Sequence, residues 1–203
     1  MKIFFFQFLI IVNILFLNAC TIAPLSSNHS AHTLEENAFS AQAGVAANGA
    51  YPYFRLGYGA TQNFELGLLT EKQASLSTGI FAKYGFINNK EKGTALSLES
   101  GLGHSRDDST YIYIGPIVGY KTQHWDGYLG VRYSYVDGYY YDLFKKSEPI
   151  RATQRSNIQY GTVTLGNTVW LTKKFGLNFN ANYLFGDIEG PYAGVGLVYV
   201  FKN

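Results

Sequence analysis

From Phe39 to Phe201 apolar and polar residues alternate with a period of two, broken at short intervals by polar or Gly-containing turns. Successive strand side chains point to opposite faces, so the pattern predicts many antiparallel strands and leaves no room for helices. The predicted strands are Phe39 to Ala46, Tyr53 to Gly59, Phe64 to Thr70, Ser75 to Phe86, Thr94 to Gly103, Tyr111 to Tyr120, Tyr128 to Tyr135, Gln159 to Leu171, Phe175 to Phe185 and Tyr192 to Phe201. A reading with about eight strands merges or drops the first and third, and is the alternative.

The clearest strand, Phe175 to Phe185, puts Phe175, Leu177, Phe179, Ala181, Tyr183 and Phe185 on one face and Gly176, Asn178, Asn180 and Asn182 on the other, with Leu184 the exception. A soluble sandwich would hide the apolar face and turn Lys, Glu and Thr outward. Asn opposite large apolar groups suits a barrel in lipid, apolar outside and polar within. With every apolar face turned outward, the mid-strand charges Arg55, Glu65, Lys83, Glu99 and Arg132 all fall on the inner face. A lipid-facing Arg or Lys at mid-depth would cost about 2 to 4 kcal/mol. The expectation is therefore all-β: a closed antiparallel up-and-down transmembrane β-barrel of about ten strands. Lys83 with Glu99, and Arg55 with Glu65, are the expected ion pairs, since isolated charges in a narrow lumen would carry a large desolvation penalty. Such pairs fill a small barrel more readily than they line a selective pore.

The connections are uneven. Ala60 to Gln62, Asn88 to Gly93, Lys121 to His124 and Thr172 to Lys174 are tight, whereas a long loop joins Val136 to Asn157. Tight turns on the periplasmic rim and long loops outside are the expected arrangement, with both ends of the barrel on the periplasmic side. The long loop carries Tyr139, Tyr140, Tyr141 and Phe144 between charges of both signs. This composition suits contact with an extracellular protein, because Tyr offers amphipathic area at low entropic cost, and it suits equally an interfacial aromatic belt. His124-Trp125 reads as an interfacial anchor at the opposite rim.

Residues ahead of the barrel read differently. Lys2, an apolar run from Ile3 to Leu17 and the small residues before Cys20 have the layout of a secretory signal peptide. Leu17-Asn-Ala-Cys20 resembles the lipobox of bacterial lipoproteins. That resemblance implies cleavage after residue 19 and acylation of Cys20, an anchor worth roughly 0.8 kcal/mol per buried CH2. Three parts are expected: signal peptide 1–19, lipidated Cys20 with a flexible tether over 20–37, and the barrel over 38–203. The tether is rich in Ser, His, Ala and Asn, so His29 and His32 are read as solvated rather than metal-binding.

Composition narrows the partners. The whole chain has 16 basic and 14 acidic residues, and removing Lys2 with the signal leaves 15 against 14. Near-neutrality gives no reason to expect a nucleic-acid partner. Cys20 is the only cysteine, so no internal disulfide can form.

Two segments carry a further resemblance. Gly196-Leu-Val-Tyr199-Val-Phe201 is similar to the Gly-x-x-aromatic-x-aromatic assembly signal on the last strand of bacterial outer-membrane barrels, which implies recognition by the barrel assembly machinery. Arg55-Leu-Gly57-Tyr-Gly59-Ala-Thr61-Gln-Asn-Phe-Glu65-Leu-Gly67 resembles the strand-turn-strand of many small members of that group. The resemblance implies a fold and the outer membrane and its lipids, and no particular activity.

Catalytic chemistry is sparse. Gly103-His104-Ser105-Arg106-Asp107-Asp108 gathers a base, a hydroxyl and carboxylates at a predicted outer rim, yet adjacent residues of a strand point to opposite faces. No phosphate loop or metal cluster is evident, and no cofactor is expected. The expectation is a non-catalytic outer-membrane β-barrel lipoprotein with a structural or surface-contact role. A narrow channel for small solutes and a lipid-modifying enzyme are the alternatives.

Overall fold

The structure is a computed structural model that describes residues 23–25, 30–46, 51–73, 75–106, 108–139 and 155–201. Ten antiparallel strands close into one barrel: β1 (Phe39–Ala46), β2 (Tyr51–Thr61), β3 (Phe64–Lys72), β4 (Leu76–Asn88), β5 (Gly93–Ser105), β6 (Thr110–Lys121), β7 (Trp125–Tyr139), β8 (Arg155–Trp170), β9 (Phe175–Gly186) and β10 (Gly190–Phe201). Each strand pairs with its sequence neighbours, and β1 closes on β10 through Phe39↔Phe201 to Val45↔Val195. Closure removes every sheet edge, so backbone groups pair without help from solvent. Phe64–Lys72 is an independent strand, which settles the count at ten rather than eight.

Alternation decides what faces where. Leu165 is 65% exposed and Thr164 beside it 8%, and the same contrast repeats around the wall. Outward positions carry Phe54, Leu56, Leu68, Ile80, Leu102, Ile112, Val131 and Leu197. Aromatic residues concentrate at the two ends of this belt. At the lower end, where the turns after β2, β4, β6 and β8 and the end of β10 lie, rings pair as Phe39–Tyr58, Tyr84–Phe86, Tyr120–Trp125 and Tyr199–Phe201. At the upper end Tyr133 donates to Gln159 Oε1 at 2.7 Å and Tyr183 to Glu189 Oε1 at 2.6 Å. On β7 the girdles are separated by the stretch from Trp125 to Tyr133, roughly 20 Å along the axis for a tilted strand, comparable to the apolar band of a membrane barrel.

From exposed Glu35, Glu36 and Asn37 at the lower rim, the chain before β1 runs into the barrel, and residues 30–34 lie inside it. Ser30, Ala31, His32, Thr33, Leu34 and Ala38 are buried, as are Ala23 and Leu25 higher up. This corrects the expectation of a solvated flexible tether over 20–37: its described residues form a strap through the lumen. Two inward glycines make room for it. A Cβ at Gly119 would sit 2.8 Å from Ala31 Cβ, and one at Gly59 would collide with the Glu35 carbonyl. Cys20, His29 and the signal residues lie outside the described residues.

Candidate functional site: the occupied lumen

Arg55, Glu65, Lys83 and Glu99 project inward and are buried, and Arg132 is half-buried beside them. Their pairing differs from the sequence-based expectation. Lys83 bonds Glu65 at 3.0 Å, and Arg55 grips Glu99 with Nη1 and Nη2 at 3.3 and 2.7 Å. Register explains the exchange. Lys83 stands opposite Glu65 on β3 and opposite Glu99 on β5, so it has a choice of neighbours. Arg55 lies level with Leu69 rather than Glu65, and its longer planar fork crosses the lumen to take Glu99 bidentately. The guanidinium sits 3.5 Å above the Phe81 ring, and Tyr113 donates to Glu99 at 3.2 Å. Buried ion pairs offset their desolvation only when extra hydrogen bonds satisfy the remaining polar atoms.

For several of these charges the extra partners are backbone groups of the strap. Glu65 Oε2 accepts from Leu34 N at 3.1 Å, and Lys83 Nζ donates to the carbonyls of His32 and Ser30 at 3.0 and 3.5 Å. Arg132 donates to Pro24 O at 2.6 Å, with its guanidinium 5.0 Å from the Tyr113 ring. Glu71 accepts from Leu25 N at 2.9 Å, while Tyr160 and Tyr192 donate to Ala23 O and Leu25 O at 3.0 Å each. At the lower rim Lys90 Nζ donates to the Thr33 hydroxyl and to the carbonyls of Thr33 and Leu34, and Asn88 donates to the Thr33 hydroxyl. Between Glu99, Tyr113, Arg132 and Thr164 a cavity of about 20 Å³ remains, room for about one water.

The strap carries a Ser, a His and an Asp partner into one place. Ser30 Oγ donates to Asp126 Oδ2 at 2.6 Å, and His32 Nδ1 lies 3.4 Å from both Asp126 Oδ1 and Ser30 Oγ. A hydrolytic triad needs the acid at one ring nitrogen and the hydroxyl at the other. Here both crowd Nδ1, and Ser30 is spent on the carboxylate, so the cluster fastens the strap without activating a nucleophile. His104 and Ser105 likewise diverge: the histidine is exposed, 3.9 Å from Asp108, and Ser105 is buried in the lumen. Among the described residues no group of three or more His, Cys, Asp or Glu could hold a metal.

Strand ends drawn too short hid part of this site. The parity of Glu65, Gly67 and Leu69 continues to Glu71 on the inner face of β3, and the parity of Tyr128 extends back to Asp126 on β7. The Tyr139 side chain, Tyr140, Tyr141 and Phe144 of the long loop lie outside the described residues.

An apolar exterior bounded by two aromatic girdles, around a polar interior, decides the class. The chain is a transmembrane β-barrel. No family model and no curated protein matches its sequence. Solved structures are similar in architecture. The N-terminal β-barrel domain of Pseudomonas aeruginosa OprF is 14% identical with a TM-score of 0.45, covering 83% of this chain and all of that one. The NanC porin is 8% identical with a TM-score of 0.48 over 79% of this chain and 98% of its own. The KdgM porin solved in complex with disordered oligogalacturonate is 12% identical with a TM-score of 0.44 over 81% and 99%. At these identities and scores the membrane reading rests on this barrel's own surfaces.

Proposed function

We propose that this barrel is a non-catalytic outer-membrane lipoprotein with a structural or surface-contact role, anchored through Cys20. The observation that carries the reading is the filled lumen. The charges that would line a pore are bonded to each other and to the strap, which occupies the space a solute would need. The collapsed Ser30–His32–Asp126 cluster and the divergent His104 and Ser105 favour an absence of catalysis. The outer membrane is the location that suits a closed barrel with a lipid-facing belt, and the terminal Gly196 to Phe201 segment suits delivery by an assembly machinery.

Two measurements on the full-length protein test this. In planar lipid bilayers the purified barrel should show no steady ohmic conductance, and a stable conducting state would replace the structural role with that of a channel. Cells fed labelled palmitate should mark the wild type and leave Cys20→Ala unlabelled. Label on the variant would remove the lipid anchor.

A further inference from the structure

The strap has a direction. Asn37 N donates to Gly59 O at 2.8 Å close to the lower end of β2, and Thr33 and Leu34 lie at Lys90 in the lower turn between β4 and β5. His32 and Ser30 meet Asp126, the second residue of β7 from the lower end. Pro24 then meets Arg132, midway up the same strand, and Leu25 meets Glu71, one residue below the upper end of β3. Ala23 and Leu25 pack in the aromatic cluster of the upper lumen with Tyr53, Tyr111, Val136 and Ile158, whereas Ala31 packs in the lower one with Ala95, Ile117 and Tyr128.

We infer that the strap threads the barrel from the rim bearing the C-terminus to the opposite rim, so that Cys20 is delivered to the outer face of the membrane. The inference rests on the transmembrane reading with the long loop outside, and it reverses the simplest expectation, in which a periplasmic anchor reaches β1 directly. Reach decides the point. Cys20 and Ala23 are three residues apart, so their Cα atoms are at most about 11 Å apart. From the level of Glu71 down to the start of β3 is seven residues, roughly 17 Å along the barrel axis for a strand tilted by about 40°. The segment is long enough to clear the upper rim and too short to regain the lower one. Any acyl chains on Cys20 then enter the outer leaflet, and the short link from Cys20 to the buried Ala23 emerges at the cell surface.

Ile22→Cys tests this with a single substitution, because an acylated Cys20 does not react with maleimides. In intact cells a membrane-impermeant maleimide should label Ile22→Cys and spare Asn203→Cys, which should react only after the outer membrane is permeabilised. As a second variant, an epitope inserted between Ile22 and Ala23 should bind antibody on intact cells, with heat-modifiable migration certifying a folded barrel. Reaction of either N-terminal probe only after permeabilisation would overturn the inference. Palmitate incorporation, measured on the same cells, keeps the two proposals separate: an exposed epitope without label would sink the lipoprotein reading and leave the threading intact.

Discussion

The wall built by β2 to β5 and the wall built by β8 to β10 face the same lumen and solve the burial of polar groups in opposite ways. On β9, Asn182 donates to Asn180 at 2.7 Å, Asn180 to Asn178 at 3.2 Å, and Asn178 to Thr168 at 3.0 Å, while Thr164 closes the upper end on Asn182 at 2.6 Å. An amide is both donor and acceptor, so a row of Asn at every second position can satisfy itself along one strand. Carboxylates only accept and ammonium groups only donate. The charged wall must recruit partners, and beyond its two internal pairs it recruits the strap's backbone. The self-sufficient amide row and the dependent charges explain why the strap bonds Glu65, Lys83 and Glu71 on one side, while on the other it meets the phenols of Tyr160 and Tyr192 and leaves the Asn row to itself.

Breaking the dependent wall should have the largest effect. Lys83→Met strips Glu65 of its cation and the strap of the donor to His32 O, leaving a fully buried carboxylate without its counter-charge. Removal of one partner of a buried pair costs about 3 to 5 kcal/mol, to be read from denaturant refolding into lipid vesicles. A change below 1 kcal/mol would show that the strap, and not the pair, holds this wall.

The self-sufficient wall should be more forgiving. Asn180→Ala removes the middle of the amide row and leaves Asn182 and Asn178 each short of a partner, a loss of about 2 kcal/mol in the same titration. It should leave the strap in place, so maleimide labelling of Ile22→Cys should be unchanged in this background.

The smallest effect sharpens the comparison at the lower rim. Burial lowers the Lys90 ammonium from its ordinary 10.5 to about 8, with Glu35 and Glu65 pulling the other way. Between these two values the unfolded chain holds a proton that the folded chain has released, so stability rises with pH across the window. Below pH 8 both states are protonated and the penalty stands in full. Unfolding titrations at pH 7.5 and 10 should therefore show a gain in the wild type that Lys90→Met lacks. Equal pH dependence would mean that Lys90 stays charged against the strap.

The barrel itself was legible in the sequence because a two-residue period leaves a mark on every strand, and the inward sense of Arg55 or Glu99 follows from parity alone. Partner choice was not. It depends on where along the axis Glu65, Lys83 and Glu99 come into register, and on the reach of Arg55 across a lumen whose width no local pattern encodes. The strap was illegible for a different reason. Much of its docking runs through main-chain N–H and C=O groups, which carry no side-chain signature, and short polar side chains such as those of Ser30 and Thr33 look the same in a solvated linker and in a buried rod. The available signal lay on the receiving side, in the small inward residues Gly57, Gly59 and Gly119 that leave a channel along the lower lumen.

The β1–β10 seam gives the threaded strap a topological consequence. Its ladder from Phe39↔Phe201 to Val45↔Val195 joins the first strand to the last, and the ring exists only once that ladder has zipped. A free end could be withdrawn downward past Lys90. An end capped above by acyl chains could not, because a lumen already filled by the strap and its buried partners leaves no passage for hydrocarbon tails. The lipid would act as the stopper of a rotaxane, with the sheet as its ring. Zipping the seam around an already lipidated strap would make such an assembly in a single step, and it could then be taken apart only by opening the seam.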